Sequence, residues 1–179
     1  MLLFETPELH GDESLAHVLL HQWPSYVSYV VSFVTIGIIW VNHHTIFRLV
    51  GRVDRVFLFV NVLFLMCVAF IPYPTSVVAR FVRSADDARA AALLYGITLT
   101  TTALFFNLLW QYASRGRRLL AADADRREVT GITRSYRPGV PLYLSSTLLA
   151  FWSPTASVVG YAAIALFYVL SSSLFGRDE

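Results

Sequence analysis

An apolar run over residues 26–47, carrying Trp40, Asn42, His43 and His44 near its end, constrains this chain more than any other feature. Its length matches the ~20 residues that a helix needs to cross a bilayer. Amide and imidazole groups within such a segment are costly against lipid, so they face other protein or water. On a helix Trp40, His43, His44 and Phe47 fall at i, i+3, i+4 and i+7 and share one face. Ser28, Ser32, Thr35, Ile39 and Asn42 form a second stripe, with spacings that alternate between four and three. Small and polar residues at that spacing let helix backbones approach closely in lipid. The helix is therefore expected to be packed on two sides, with Ser28, Ser32 and Thr35 at a helix contact in an oligomer.

Two readings of the histidine pair stay open. His44 precedes Arg48 by one helical turn, so it can pack at the headgroup layer as amphipathic side chains do. Alternatively, Trp40, Asn42, His43 and His44 belong to an inward polar network together with Asp54 and Asn61, which lie seven residues apart and can share a face. A metal site is not expected, because adjacent histidines point about 100° apart on a helix and no carboxylate or cysteine is near them. Glu13, His17 and His21 repeat at i, i+4 and i+8. The preferred reading there is a short amphipathic helix at the interface rather than a weak metal site.

Composition supports a membrane protein. With 56% hydrophobic and only 15% charged residues in 179, the chain is too apolar for a soluble domain. All 14 basic residues are arginine, and a net charge of +2 is too small to suggest a nucleic-acid partner. The single Cys67 lies in an apolar run, has no intrachain disulfide partner and reads as packing. The acidic N-terminus does not resemble a signal peptide, and no cofactor is expected.

The expected fold is all-α: a polytopic transmembrane helix bundle with five spans. Residues 1–25 are read as an outer segment with a short interfacial helix, residues 26–175 as the bundle and residues 176–179 as a tail. The first span, 26–47, is followed by a loop over 48–55. A second span, 56–71, is stopped or kinked by Pro72 and Pro74. After a polar linker with Asp86, Asp87 and Arg89, the third span runs over 90–112 and carries Thr98, Thr100, Thr101, Thr102 and Asn107. Residues 114–137, with seven arginines, read as the one extramembrane loop. Residues 140–152 are short for a span and could be re-entrant; they are read as a helix extended by Tyr136 and Arg137. Residues 155–175 form the last span. Loops 48–55 and 114–137 and the tail hold eleven arginines, against Arg80, Arg83 and Arg89 on the other side. The positive-inside rule then puts the N-terminus outside and the C-terminus in the cytoplasm. An odd number of spans and the apolar Met1-Leu2-Leu3-Phe4 raise the expectation of a helix upstream of Met1.

Trp23-Pro24, Tyr29, Ser32-Phe33, Gly37, Trp40 and Asn42-His43-His44 resemble the second helix of the transmembrane protein 175 family. Asp54, Asn61 and Ile71-Pro72-Tyr73-Pro74-Thr75 are similar to its third. The family contains bacterial relatives of an endosomal and lysosomal potassium channel. The resemblance implies a six-helix subunit, a homotetrameric pore passing K+ and a place in the bacterial plasma membrane. It also implies a pore-lining first helix bearing Arg-x-x-x-Phe-Ser-Asp, packed against the Trp/His face; no Phe-Ser-Asp occurs in this sequence. Without that helix the chain is expected not to conduct, whereas a form that has it would. A non-conducting membrane scaffold is the alternative. A secondary transporter fits less well, because no repeats or midplane helix breaks are evident. Enzymatic activity is not expected, since no Ser/His/Asp set, HExxH or paired intramembrane carboxylates occur.

Overall fold

In the computed structural model the described residues are 22–81, 83–84 and 87–175, together with Leu15 and Leu19, and side chains are described as far as Tyr168. The Glu13, His17 and His21 face lies outside them. The elements are α1 (Trp23–Leu49), α2 (Arg55–Phe70), α3 (Pro72–Phe81), α4 (Ala88–Ser114), a 3-10 turn (Arg115–Arg117), α5 (Arg126–Tyr136), α6 (Gly139–Leu149) and α7 (Pro154–Phe175). Among the described residues there is no strand, only an antiparallel bridge between Val50 and Leu120. Three segments are long and apolar enough to cross a membrane by themselves: Ser25–Leu49, Arg55–Phe81 and Ala88–Arg117. With α6 and α7 they make up the five expected helical regions of a transmembrane bundle.

Helices α1 and α4 satisfy many of their hydroxyl and amide side chains within their own turns, as lipid favours. Along α1 the hydroxyls of Ser32, Thr35 and Thr45 donate to the carbonyl four residues back at 2.7, 2.9 and 3.0 Å. Asn42 Nδ2 donates likewise to the Ile38 carbonyl at 2.8 Å. The two prolines after α2 break the helix only at Ile71. Pro72 opens α3 and Pro74 lies in its first turn, where a missing amide hydrogen leaves nothing unsatisfied.

Helix α4 is the centre of the bundle and packs on α2, α3, α5, α6 and α7, while α1 lies on α3 and α7. The close contact occurs at Gly96. A Cβ there would overlap the Tyr161 hydroxyl of α7 and lie 2.5 Å from Thr147 Oγ1 of α6. Without a Cβ, Tyr161 donates to Thr147 Oγ1 at 3.2 Å, and the Thr100 and Thr147 hydroxyls meet at 3.1 Å. Gly160 gives α7 a similar approach to Ser146 on α6, where a Cβ would come within 2.7 Å of Ser146 Oγ.

Two readings of the charged segment need correction. Residues 114–137 are not a loop throughout, because α5 is a helix whose Ile132 and Tyr136 are buried against Ile46, Leu49 and Trp110. Trp110 Nε1 donates to Thr133 Oγ1 at 3.0 Å and fixes α5 along the end of α4. Tyr136 ends α5 and does not extend the next helix, since α6 begins at Gly139 after Pro138. The turn before α5 is stitched to the α1–α2 connection by backbone bonds, Ala121 N to the Leu49 carbonyl at 2.8 Å and Gly51 N to the Leu119 carbonyl at 2.9 Å. Gly116 ends α4 at φ 62°, the left-handed region that suits glycine.

Replacing Gly96 by Val should therefore overpack the α4–α6–α7 junction, at a cost of about 1–3 kcal/mol. Thermal unfolding of the detergent-solubilised protein reads this as a lowered Tm. An unchanged Tm would mean that the three helices do not meet at Gly96.

Candidate functional site

Position on α1 divides the polar residues near its end into three sets. His43 points across to α2, where its Nε2 lies 2.8 Å from Asn61 Oδ1. With the proton on Nε2, the ring donates to that amide oxygen. The imidazole is stacked on Phe64 at 5.3 Å and 11°, with Phe47 4.4 Å away on its own helix. Asn42 turns toward α5, and its Oδ1 accepts from the Tyr136 hydroxyl at 3.2 Å. Trp40 and His44 stack on each other at 5.5 Å and 14°, and both are exposed.

Asp54 lies apart from this group. It caps α2, accepting from the Phe57 amide at 2.9 Å, and its other oxygen accepts from the Tyr112 hydroxyl at 2.8 Å. Arg118 approaches the same oxygen at 3.5 Å, with its guanidinium carbon 4.7 Å from the centre of the Tyr112 ring. Asp54 and Asn61 thus do not act together: one closes the charged end of the bundle and the other holds His43. The Phe57 amide first, then the Tyr112 hydroxyl, hold the Asp54 carboxyl below its ordinary value; Arg118 adds to this, and partial burial opposes it.

Ser28 and Ser32 are buried within the subunit, and the Tyr95 hydroxyl of α4 approaches Thr35 and Thr75. This stripe therefore faces the subunit's own helices rather than standing free for another copy. The face that does stand free carries Trp23, Val27, Val30, Val34, Trp40 and Val41. Gly37 lies on it with nothing near its Cβ position.

A cavity of about 70 Å³ lies between α1, α2, α4, α5, α6 and α7, lined in part by Asn42, Thr102, Asn107, Tyr136, Tyr143 and Tyr168. Sequence reasoning did not single out Tyr112, Arg118 or the three cavity tyrosines. The signal for Tyr136 was present, since Val129, Ile132, Thr133 and Tyr136 repeat at helical spacing inside the arginine-rich segment. No cluster of three or more potential metal ligands occurs among the described residues.

Two outcomes follow from this geometry. A double-mutant cycle with His43→Phe and Asn61→Leu should show a coupling of about 0.6 kcal/mol, typical of interhelical polar contacts in lipid; additive effects would dissolve the contact. For Asp54, an unfolded carboxyl titrates near 3.8 and the folded one lower. The stabilisation is then complete above the unfolded value and is lost as pH falls through the folded one. Wild type should therefore lose thermal stability below about pH 4 by a step that Asp54→Asn lacks. An identical acid profile in both would remove Asp54 from the clasp.

Comparison with known proteins places this geometry. The family profile described as the endosomal/lysosomal potassium channel TMEM175 matches residues 1–72. A potassium channel of Chamaesiphon minutus is 43% identical over 89% of this chain and 78% of its own length. One from Streptomyces collinus is 37% identical over 94% of this chain and 82% of its own. The crystal structure of a lysosomal potassium-selective channel TMEM175 homolog from Chamaesiphon minutus superposes with a TM-score of 0.74, at 39% identity, over 88% of this chain and 79% of that one. Relatives this similar over nearly the whole chain, together with the shared fold, make this chain a member of the TMEM175 family.

Proposed function

We propose that the protein is a subunit of a potassium-permeable channel that conducts K+ passively through a homotetrameric pore in the bacterial plasma membrane. The carrying observation is the 43% identity to a potassium channel across 89% of the chain. The free apolar face of α1, from Trp23 to Val41, is the surface available for a neighbouring helix or subunit. Selectivity then comes from dehydration at a narrow apolar constriction rather than from a carbonyl filter. The arginine asymmetry supports a cytoplasmic C-terminus and an N-terminal segment outside.

His43 serves this pore as a positioning residue, tying α1 to α2 without touching the ion. Purified from its full coding frame and reconstituted in liposomes, the protein is expected to release K+ down its gradient faster than Na+. His43→Ala should lower the flux and leave the K+ over Na+ preference nearly unchanged. Flux no greater than that of empty liposomes would overturn the channel reading. A lost preference at unchanged flux would put His43 in the conduction path.

A further inference from the structure

Helix α5 carries its charge on one side. Its buried face is formed by Val129, Ile132, Thr133 and Tyr136. Glu128 lies on one flank and pairs with Arg48 at 2.9 Å. At 100° per residue, Arg126, Arg127, Arg134 and Arg137 all fall within an arc of roughly 100° on the other flank. All four are exposed. Among the described residues none of their guanidinium groups has an ion pair or hydrogen bond. Neighbouring arginines are committed: Arg52 to the Arg118 carbonyl, Arg117 to the Ala121 and Ala124 carbonyls, and Arg118 to Asp54.

The flank does not lie wholly beyond the bundle. Tyr136 reaches Asn42, seven residues before the end of α1, and its ring meets Phe106 on α4 at 4.8 Å. Seven residues of helix are about 10 Å, so the Tyr136 side chain reaches about that far in from the end of α1. Arginines on the outward face beside such an anchor can extend their guanidinium groups toward a phosphate layer. Beyond the junction the surface turns apolar, with Leu142 and Leu149 exposed on one face of α6 and Leu144 and Leu148 on another.

We propose that Arg134 and Arg137, with Arg126 and Arg127 below them, form a binding site for an anionic phospholipid. The lipid phosphate sits on the Arg134 and Arg137 guanidinium groups, with Arg126 and Arg127 about two turns or more away adding positive charge, and its acyl chains run along α6. The pairing of a cationic flank with an apolar wall selects a lipid over a free anion, since inorganic phosphate gains nothing from the leucines.

Native mass spectrometry of the detergent-purified protein tests this with added phosphatidylglycerol or phosphatidylcholine. Wild type should retain phosphatidylglycerol in preference to phosphatidylcholine, and Arg134→Gln/Arg137→Gln should cut that retention roughly thirtyfold, the scale expected for two arginines near anionic lipid. Arg115→Gln, off the flank, should retain the lipid as wild type does. Equal retention by the double variant would overturn the site. Displacement of the lipid by millimolar inorganic phosphate would overturn it in favour of a plain anion site. If the double variant does not fold, wild type alone decides: absence of a phosphatidylglycerol preference at low salt overturns the proposal.

Discussion

The bundle depends on the close approach of α4, α6 and α7 at Gly96. Lipid chains are as apolar as leucine, so burying apolar side chains between helices gains little over leaving them in the membrane. Attraction has to come from packing density and from polar groups that find each other. A glycine opposite Tyr161 and Thr147 supplies both, because the missing Cβ admits a hydroxyl that then bonds across the helices. Elsewhere α4 also packs on α2 and α3, and α1 lies on α3 and α7.

The charged end obeys a different rule. Charges and backbone groups must be satisfied where the chain leaves the helices, and the sequence does so with few residues. Asp54 caps one helix while gathering Tyr112 and Arg118 from the end of another. The backbone bonds of Leu49 and Gly51 to the 119–121 strip then close the turn. Helix α5 is held against this closed end by Trp110 and Tyr136.

Hydrophobic run length and proline position made most of the helices legible, because membrane thickness leaves few ways to arrange long apolar segments. The charged segment was less legible for a physical reason. Seven arginines dominate its composition, while the four residues that anchor α5 are spread over eight positions among them. Arginine count reports which side of a membrane a segment favours; it says little about whether that segment folds back. Asp54 and Asn61 illustrate a second limit. Their spacing of seven would align them on a continuous helix, but Asp54 is an N-cap with extended backbone, so its side chain turns back onto the α2 amides. The Ser28 and Ser32 stripe was legible as a close contact, yet spacing alone does not say whether the neighbour belongs to the same subunit.

The same division of labour bears on His43. A histidine in a membrane span invites an ionic role, because its charge change lies near physiological pH. Here one ring nitrogen is engaged by Asn61 and one ring face is covered by Phe64, which suits the positioning role proposed for it. Trp40 and His44, one turn apart on the neighbouring face, have no such commitments and are exposed. Helix α1 therefore separates two tasks by rotation alone. Its inner side, through Ser32, Asn42 and His43, fixes the helix in the subunit, and its outer side, through Trp40 and His44, is left for whatever packs against it. A change on the inner side alters where the whole outer face stands, so its effects reach beyond the contacts it makes.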